Sequence, residues 1–127
     1  LGIKTVGKLA FPAILLALAA CSNSQVRGFT NTSVGHSRTL YNEAVRLDKM
    51  GDHDAAIRDF RESANLGNVK AMLRMGAAYA IGHDVLINKT RAAYWIKKAY
   101  NKAKKDGDDD SRKQASYIWD RFELWKY

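Results

Sequence analysis

From Ser37 onward, apolar residues recur at helical spacing, broken only by short polar or glycine-led intervals. Leu40, Ala44 and Leu47 form a stripe at spacings of four and three, which predicts a first helix with Ser37 as its N-cap. Gly51-Asp52 breaks it, and Asp52 or Asp54 is placed to cap a second helix. That helix turns Ala56, Phe60 and Ala64 inward and ends at Leu66-Gly67-Asn68. A third helix is predicted over Val69 to Ile81, with Met72, Met75, Gly76 and Tyr79 on its inner face. The loop "GHDVLIN" follows, and a fourth helix from Lys89 to Lys104 carries Ala92, Trp95, Ile96 and Ala99 inward. "KKDGDDD" is a polar break. A last helix from Ser111 to Trp125 is expected to bury Ile118, Phe122 and Trp125. The predicted fold class is all-α.

The first part of the chain has a different pattern. Leu9 to Ala20 is apolar throughout, Lys4 and Lys8 precede it, and no acid occurs before Glu43. This is the layout of a secretory signal. The run has 12 residues, whereas a transmembrane helix needs about 20, and Pro12 weakens a lasting helix further. The chain's only cysteine, Cys21, comes directly after the run. Leu18-Ala19-Ala20-Cys21 resembles the bacterial lipobox, in which the thiol is acylated and the cysteine becomes the new N-terminus. The alternative is a generic signal peptide whose cleavage site happens to precede a cysteine. Lipidation accounts for a lone thiol, which has no second cysteine to pair with. The resemblance implies acyl chains such as palmitate on Cys21. Each buried methylene then contributes about 0.8 kcal/mol to anchoring. Ser22, rather than aspartate, implies onward export to the outer membrane, with the protein facing the periplasm.

These readings divide the chain into a signal peptide (1–20), a lipidated cysteine and flexible polar tether (21–36), two helical-hairpin repeats (37–104), and a linker with a capping helix (105–127). The repeat rests on a period. Ala56 and Ala92 lie 36 residues apart at matching places in the second and fourth helices, and an aromatic follows each, Phe60 and Trp95. "AMLRMGAAYAIGHDVLINKTRAAYWIKKAY" is similar to the Sel-one-like repeat at Ala71, Gly76, Tyr79, Gly82, Val85, Ala92, Trp95, Lys98 and Ala99. It departs at Met75 for leucine, Asp84 for the second glycine and Asn88 for aspartate. "LYNEAVRLDKMGDHDAAIRDFRESANLGN" looks closer to the related tetratricopeptide repeat, with Ala44, Leu47, Gly51, Ala56, Phe60 and Ser63 at its small and aromatic positions. The resemblance implies a short α-solenoid of two helix-turn-helix units. Because a hairpin cannot bury its face alone, the last helix is expected to cap the open end.

Catalytic chemistry is thin, and no enzymatic function, cofactor or metal is expected. His36, His53 and His83 fall in the tether, a turn and a loop, and no two share a helix face at i, i+4. His83-Asp84 is half a ligand pair at most. Glu43, Asp48 and Asp59 are of the type that pairs as acid and base, but solvated helix-face charge describes them better. The chain has no thiol besides Cys21 and no nucleophile-elbow motif.

The net charge is +8. The basic run Lys97 to Lys105 suits anionic lipid or a polyanion, yet it also suits a helix C-terminus. Acidic residues from Asp106 to Asp110 offset it. Export argues against nucleic acid as a partner. In the tail, Tyr117, Trp119, Trp125 and Tyr127 divide between covering the last repeat and exposure, with Trp119 and Tyr127 partly outside. The remaining candidate is a concave face made by the first helix of each hairpin. There Arg38, Tyr41, Val45, Asp48, Lys49, Lys70, Leu73, Ala77, Ala80 and Ile81 mix apolar area with charge, as capture of a peptide or helix requires. The expectation is an envelope lipoprotein that binds a protein partner, in general plan resembling pilotins, and acts as a scaffold, adaptor or assembly factor. The alternative is a wall-associated lipoprotein that touches anionic polymer, or a wall enzyme, through Lys97, Lys102 and Lys105.

Overall fold

The computed structural model of the chain describes residues 32–127. The expected signal peptide, Leu18, Ala19, Ala20 and Cys21, and the tether up to residue 31 lie outside the described residues. Among the described residues all regular structure is helical: α1 (32–50), α2 (His53–Asn65), α3 (Val69–Ile81), α4 (Lys89–Asp106), α5 (Asp109–Arg121) and a 3₁₀ turn, Leu124–Lys126. The folded unit runs from Val34 to Tyr127. It is a short α-solenoid: hairpins α1–α2 and α3–α4 stack, and α5 closes the end against α4 and α3.

α1 starts earlier than the hydrophobic stripe indicates. Residues 32–36 are helical and not tether, and Ser37 lies inside the helix rather than capping it. Its hydroxyl donates back to the Val34 carbonyl at 2.9 Å, and Thr39 Oγ1 donates to Gly35 at 3.0 Å. Such back-bonds satisfy serine and threonine inside a helix. The first turns carry no apolar stripe because most of their side chains face solvent.

The other starts follow short polar caps. Asp52 accepts from the Ala55 N–H at 3.1 Å, Asn68 from Ala71 at 3.1 Å, Asn88 from Arg91 at 2.9 Å and Asp108 from Ser111 at 3.0 Å. Each occupies one of the four N–H groups that a helix leaves unpaired at its start. Asp108 also explains why α5 begins at Asp109 and not at Ser111. The acidic first turn of Asp109 and Asp110 favours the positive end of the helix dipole. α4 in turn continues through Asp106, so the linker shrinks to Gly107-Asp108.

Packing centres on α3, which touches α2, α4 and α5 and buries residues on most of its circumference. Met72, Met75, Ile96 and Leu124 are among the largest fully buried side chains. Gly76 lets α4 approach: a Cβ there would sit 2.6 Å from Ile96 Cγ1, closer still to Cδ1, and 3.4 Å from the Ile96 backbone nitrogen. The first hairpin is tied by the fully buried Ser63, whose hydroxyl donates to the Ser37 carbonyl of α1 at 2.6 Å. Tyr41 meets Phe60 edge-on at 5.7 Å between ring centres.

The expected inward face of the last helix is corrected at its end. α5 stops at Arg121, and Glu123 adopts a left-handed backbone with φ +51°. The chain turns there, so Leu124 is fully buried and Trp125 is 55% exposed. Ile118 is buried and Phe122 is partly buried against the core, as expected.

Candidate functional site

The α1–α3 side of the first hairpin carries a cleft of about 160 Å³. α2 supplies Ile57 and Phe60, α3 supplies Ala77 and Ile81, and Asp48, Arg74, His83 and Asp84 form a polar rim. The floor is apolar because α2 presents Ile57 beside its Ala56–Phe60 stripe, and α3 presents small alanines opposite it. Asp48 stands in the last turn of α1, where Arg74 Nη2 donates to its Oδ2 at 2.6 Å. The Arg74 guanidinium also lies 5.0 Å from the centre of the Phe60 ring. A partly exposed pair of this kind contributes about 0–1 kcal/mol, so its main effect is to fix the rim's shape.

The loop behind the rim is pinned at both ends. The N–H groups of Gly82 and His83 donate to the Ala78 carbonyl at 2.8 and 3.1 Å, and Asn88 N–H donates to Tyr79 at 2.9 Å. Gly82 has φ +80°, and a Cβ there would meet Ile87 Cγ1 at 2.5 Å, so the turn needs glycine. Lys89 reaches back across the loop, its Nζ donating to the Ala80 carbonyl at 2.7 Å.

Of the residues expected on the concave face, Asp48, Ala77 and Ile81 line this cleft. Tyr41 and Val45 are half-buried against the core. Arg38, Lys49 and Lys70 are exposed but do not line it. Leu73 and Ala80 are corrected: at 3% and 2% exposure they belong to the core, because α3 is enclosed by α2, α4 and α5. The hydrophobic stripe missed Ile57, Phe60 and Arg74 as cleft residues. Ile57 was the available signal, an isoleucine one position off the α2 core stripe.

The histidines also depart from expectation. His36 sits on α1, its Nε2 3.9 Å from Glu62 Oε1. His53 opens α2 and His83 follows α3, yet their rings meet edge-on at 5.9 Å. The fold brings together what sequence spacing kept apart. On the outer face of α1, hydrogen bonding to Arg46, with Arg46 Nε donating at 2.9 Å, holds the Glu43 carboxyl below its ordinary range.

A second cleft, of about 440 Å³, lies between α4 and α5, with Lys97, Tyr100, Trp119 and Asp120 in its wall. Trp119 is half-buried, while Tyr117 and Tyr127 are exposed. Lys102 is neutralised by Asp106 at 2.7 Å. No helix among the described residues is long and apolar enough to cross a membrane. No family model, no curated protein and no solved structure matches the chain.

Proposed function

We propose that this chain is a lipid-anchored protein of the bacterial envelope, held at the outer membrane and facing the periplasm, whose helical-repeat domain binds a protein partner. Acylation at Cys21 would confine it to the membrane, and the α1–α3 cleft would recruit or steady the partner there. The observation that carries this reading is the cleft itself, with an apolar floor between Ile57, Phe60 and Ile81 and charge on its rim. At about 160 Å³ it is smaller than the ~300–1,000 Å³ usual for small-molecule sites. That volume suits one or two side chains of a partner helix or peptide.

The test is cross-linking and capture from solubilised envelopes with the natural chain, Cys21→Ser and Ile81→Asp. Ile81 is 58% exposed, so a charge there is compatible with folding. A partner recovered with the natural chain and lost with Ile81→Asp supports the reading. Its loss with Cys21→Ser alone would assign the encounter to membrane placement. Equal recovery with Ile81→Asp, or none with any form, contradicts it.

The wall-binding alternative draws on Lys97, Lys102 and Lys105. The Lys102–Asp106 ion pair weakens it, leaving Lys97 and Lys105 as exposed cations in that set. Salt-sensitive sedimentation with purified wall material would favour it over partner capture.

A further inference from the structure

Two turns about 30 residues apart in sequence converge at one corner of the fold. Asp48 lies in the last turn of α1 and His53 opens α2, while His83-Asp84 follows α3. One ligand atom from each of Asp48, His53 and Asp84 lies within 4.8 Å of the others. His53 Nδ1 is 2.9 Å from Asp48 Oδ1 and 3.7 Å from Asp84 Oδ2, while His83 Nδ1 is 2.6 Å from that same Asp84 oxygen. We propose that Asp48, His53 and Asp84 form a binding site for a zinc-class divalent metal ion, with His83 beside Asp84.

Three features separate this cluster from ordinary surface ion pairing. First, it brings an oxygen from each of two carboxylates and an imidazole nitrogen within 4.8 Å of one another, with Arg74 bonded to Asp48. A divalent cation between the two carboxylates removes their mutual repulsion. Second, Arg74 occupies Asp48 Oδ2 and leaves Oδ1 toward His53. That is how an outer partner orients a carboxylate ligand. Third, Asp84 holds a left-handed backbone, φ +61°, in the loop whose ends are pinned to Ala78 and Tyr79. The carboxylate is therefore delivered by a fixed turn.

The donor set selects the ion. Imidazole nitrogen with carboxylate oxygen suits zinc and its first-row neighbours, whereas calcium and magnesium prefer oxygen alone. Ligands about 2.0–2.1 Å from a tetrahedral zinc stand about 3.3 Å from one another. The two separations from His53 Nδ1 bracket that value and the two carboxylate oxygens lie within 4.8 Å of each other, so binding draws the ligands together by side-chain adjustment, which the half-exposed His53 permits. The ion would clamp the α1–α2 turn to the α3–α4 loop and so join the two hairpins at the rim of the cleft. This does not depend on the partner reading.

The experiment uses the untagged full chain carrying Cys21→Ser, which removes its only thiol. Zinc is titrated against a chromophoric chelator and cobalt by visible absorption. The expected result is one equivalent of zinc, with a cobalt spectrum of low coordination number and nitrogen–oxygen ligation. His53→Gln and Asp84→Asn should each weaken zinc by at least about tenfold with helical circular dichroism unchanged, and His36→Gln should leave it unaltered. Failure to compete with the chelator, binding indifferent to both His53→Gln and Asp84→Asn, or loss of binding with His36→Gln would each overturn the site. So would a preference for magnesium or calcium.

Discussion

Gly76→Ala puts the close approach of α3 and α4 under direct load. Alanine improves helix propensity by about 1 kcal/mol over glycine. Against that, the new methyl would press on Ile96 Cγ1 at 2.6 Å, and Ile96 is 1% exposed, so it must shift toward the α4–α5 cleft that it lines. Its backbone nitrogen, 3.4 Å from the same methyl, makes α4 itself the wall. Overpacking a closed core costs about 1–3 kcal/mol, so the net expectation is a loss of about 1 kcal/mol. Ile96→Val alone should cost about 0.5–1.5 kcal/mol, but it deletes the nearest methyl. Gly76→Ala should then cost less in that background, with a coupling of at least about 0.5 kcal/mol. Urea unfolding followed by far-ultraviolet circular dichroism reads all four forms. A Gly76→Ala chain that gains the full propensity benefit, or additive single and double variants, would refute the close α3–α4 approach.

The other expectations concern the end of the chain and the caps. Leu124→Ala should destabilise by about 2–5 kcal/mol and Trp125→Ala by no more than about 0.5 kcal/mol, a contrast that thermal melts of the two variants will register. Asn88→Ala removes the acceptor for Arg91 N–H and should cost about 1 kcal/mol, read from the shift in urea midpoint. The Asp108 carboxyl is held below its ordinary 3.8 by hydrogen bonds from the Ser111 hydroxyl and N–H, helped by the Lys70 charge. Its contribution is therefore complete above pH 3.8 and is lost as pH falls through the lower folded value. Acid titrations of stability should be shallower in that window for Asp108→Asn than for the natural chain, and parallel curves would contradict this.

Much of the fold was legible because it rests on local signals. The Asp52 cap, one of two candidates with Asp54, the Leu66-Gly67-Asn68 break and the apolar stripes of α2, α3 and α4 act within a few residues, and the helices start and stop accordingly. Tertiary terms were not legible. The start of α1 has exposed polar side chains and leaves no hydrophobic period to read. Leu124 replaces Trp125 inside because Glu123 turns left-handed, which no stripe announces. The solenoid pattern leaves the first helix of each hairpin open and so places Leu73 and Ala80 in the groove. Here α5 follows so closely that α3 is enclosed. The meeting of His53 and His83 depends on how two turns dock across the hairpins, a relation between segments 30 residues apart.

The most direct test of the account is a photo-cross-linker placed at Ile81 in the cleft and, as a control, at Lys113 on the exposed face of α5. Both are introduced into the full chain in whole cells. The account predicts a discrete cross-linked protein from Ile81 that is absent from Lys113 and diminished by Cys21→Ser. Identical products from both positions, or none from Ile81, would contradict the claim that the cleft is where this chain meets its partner.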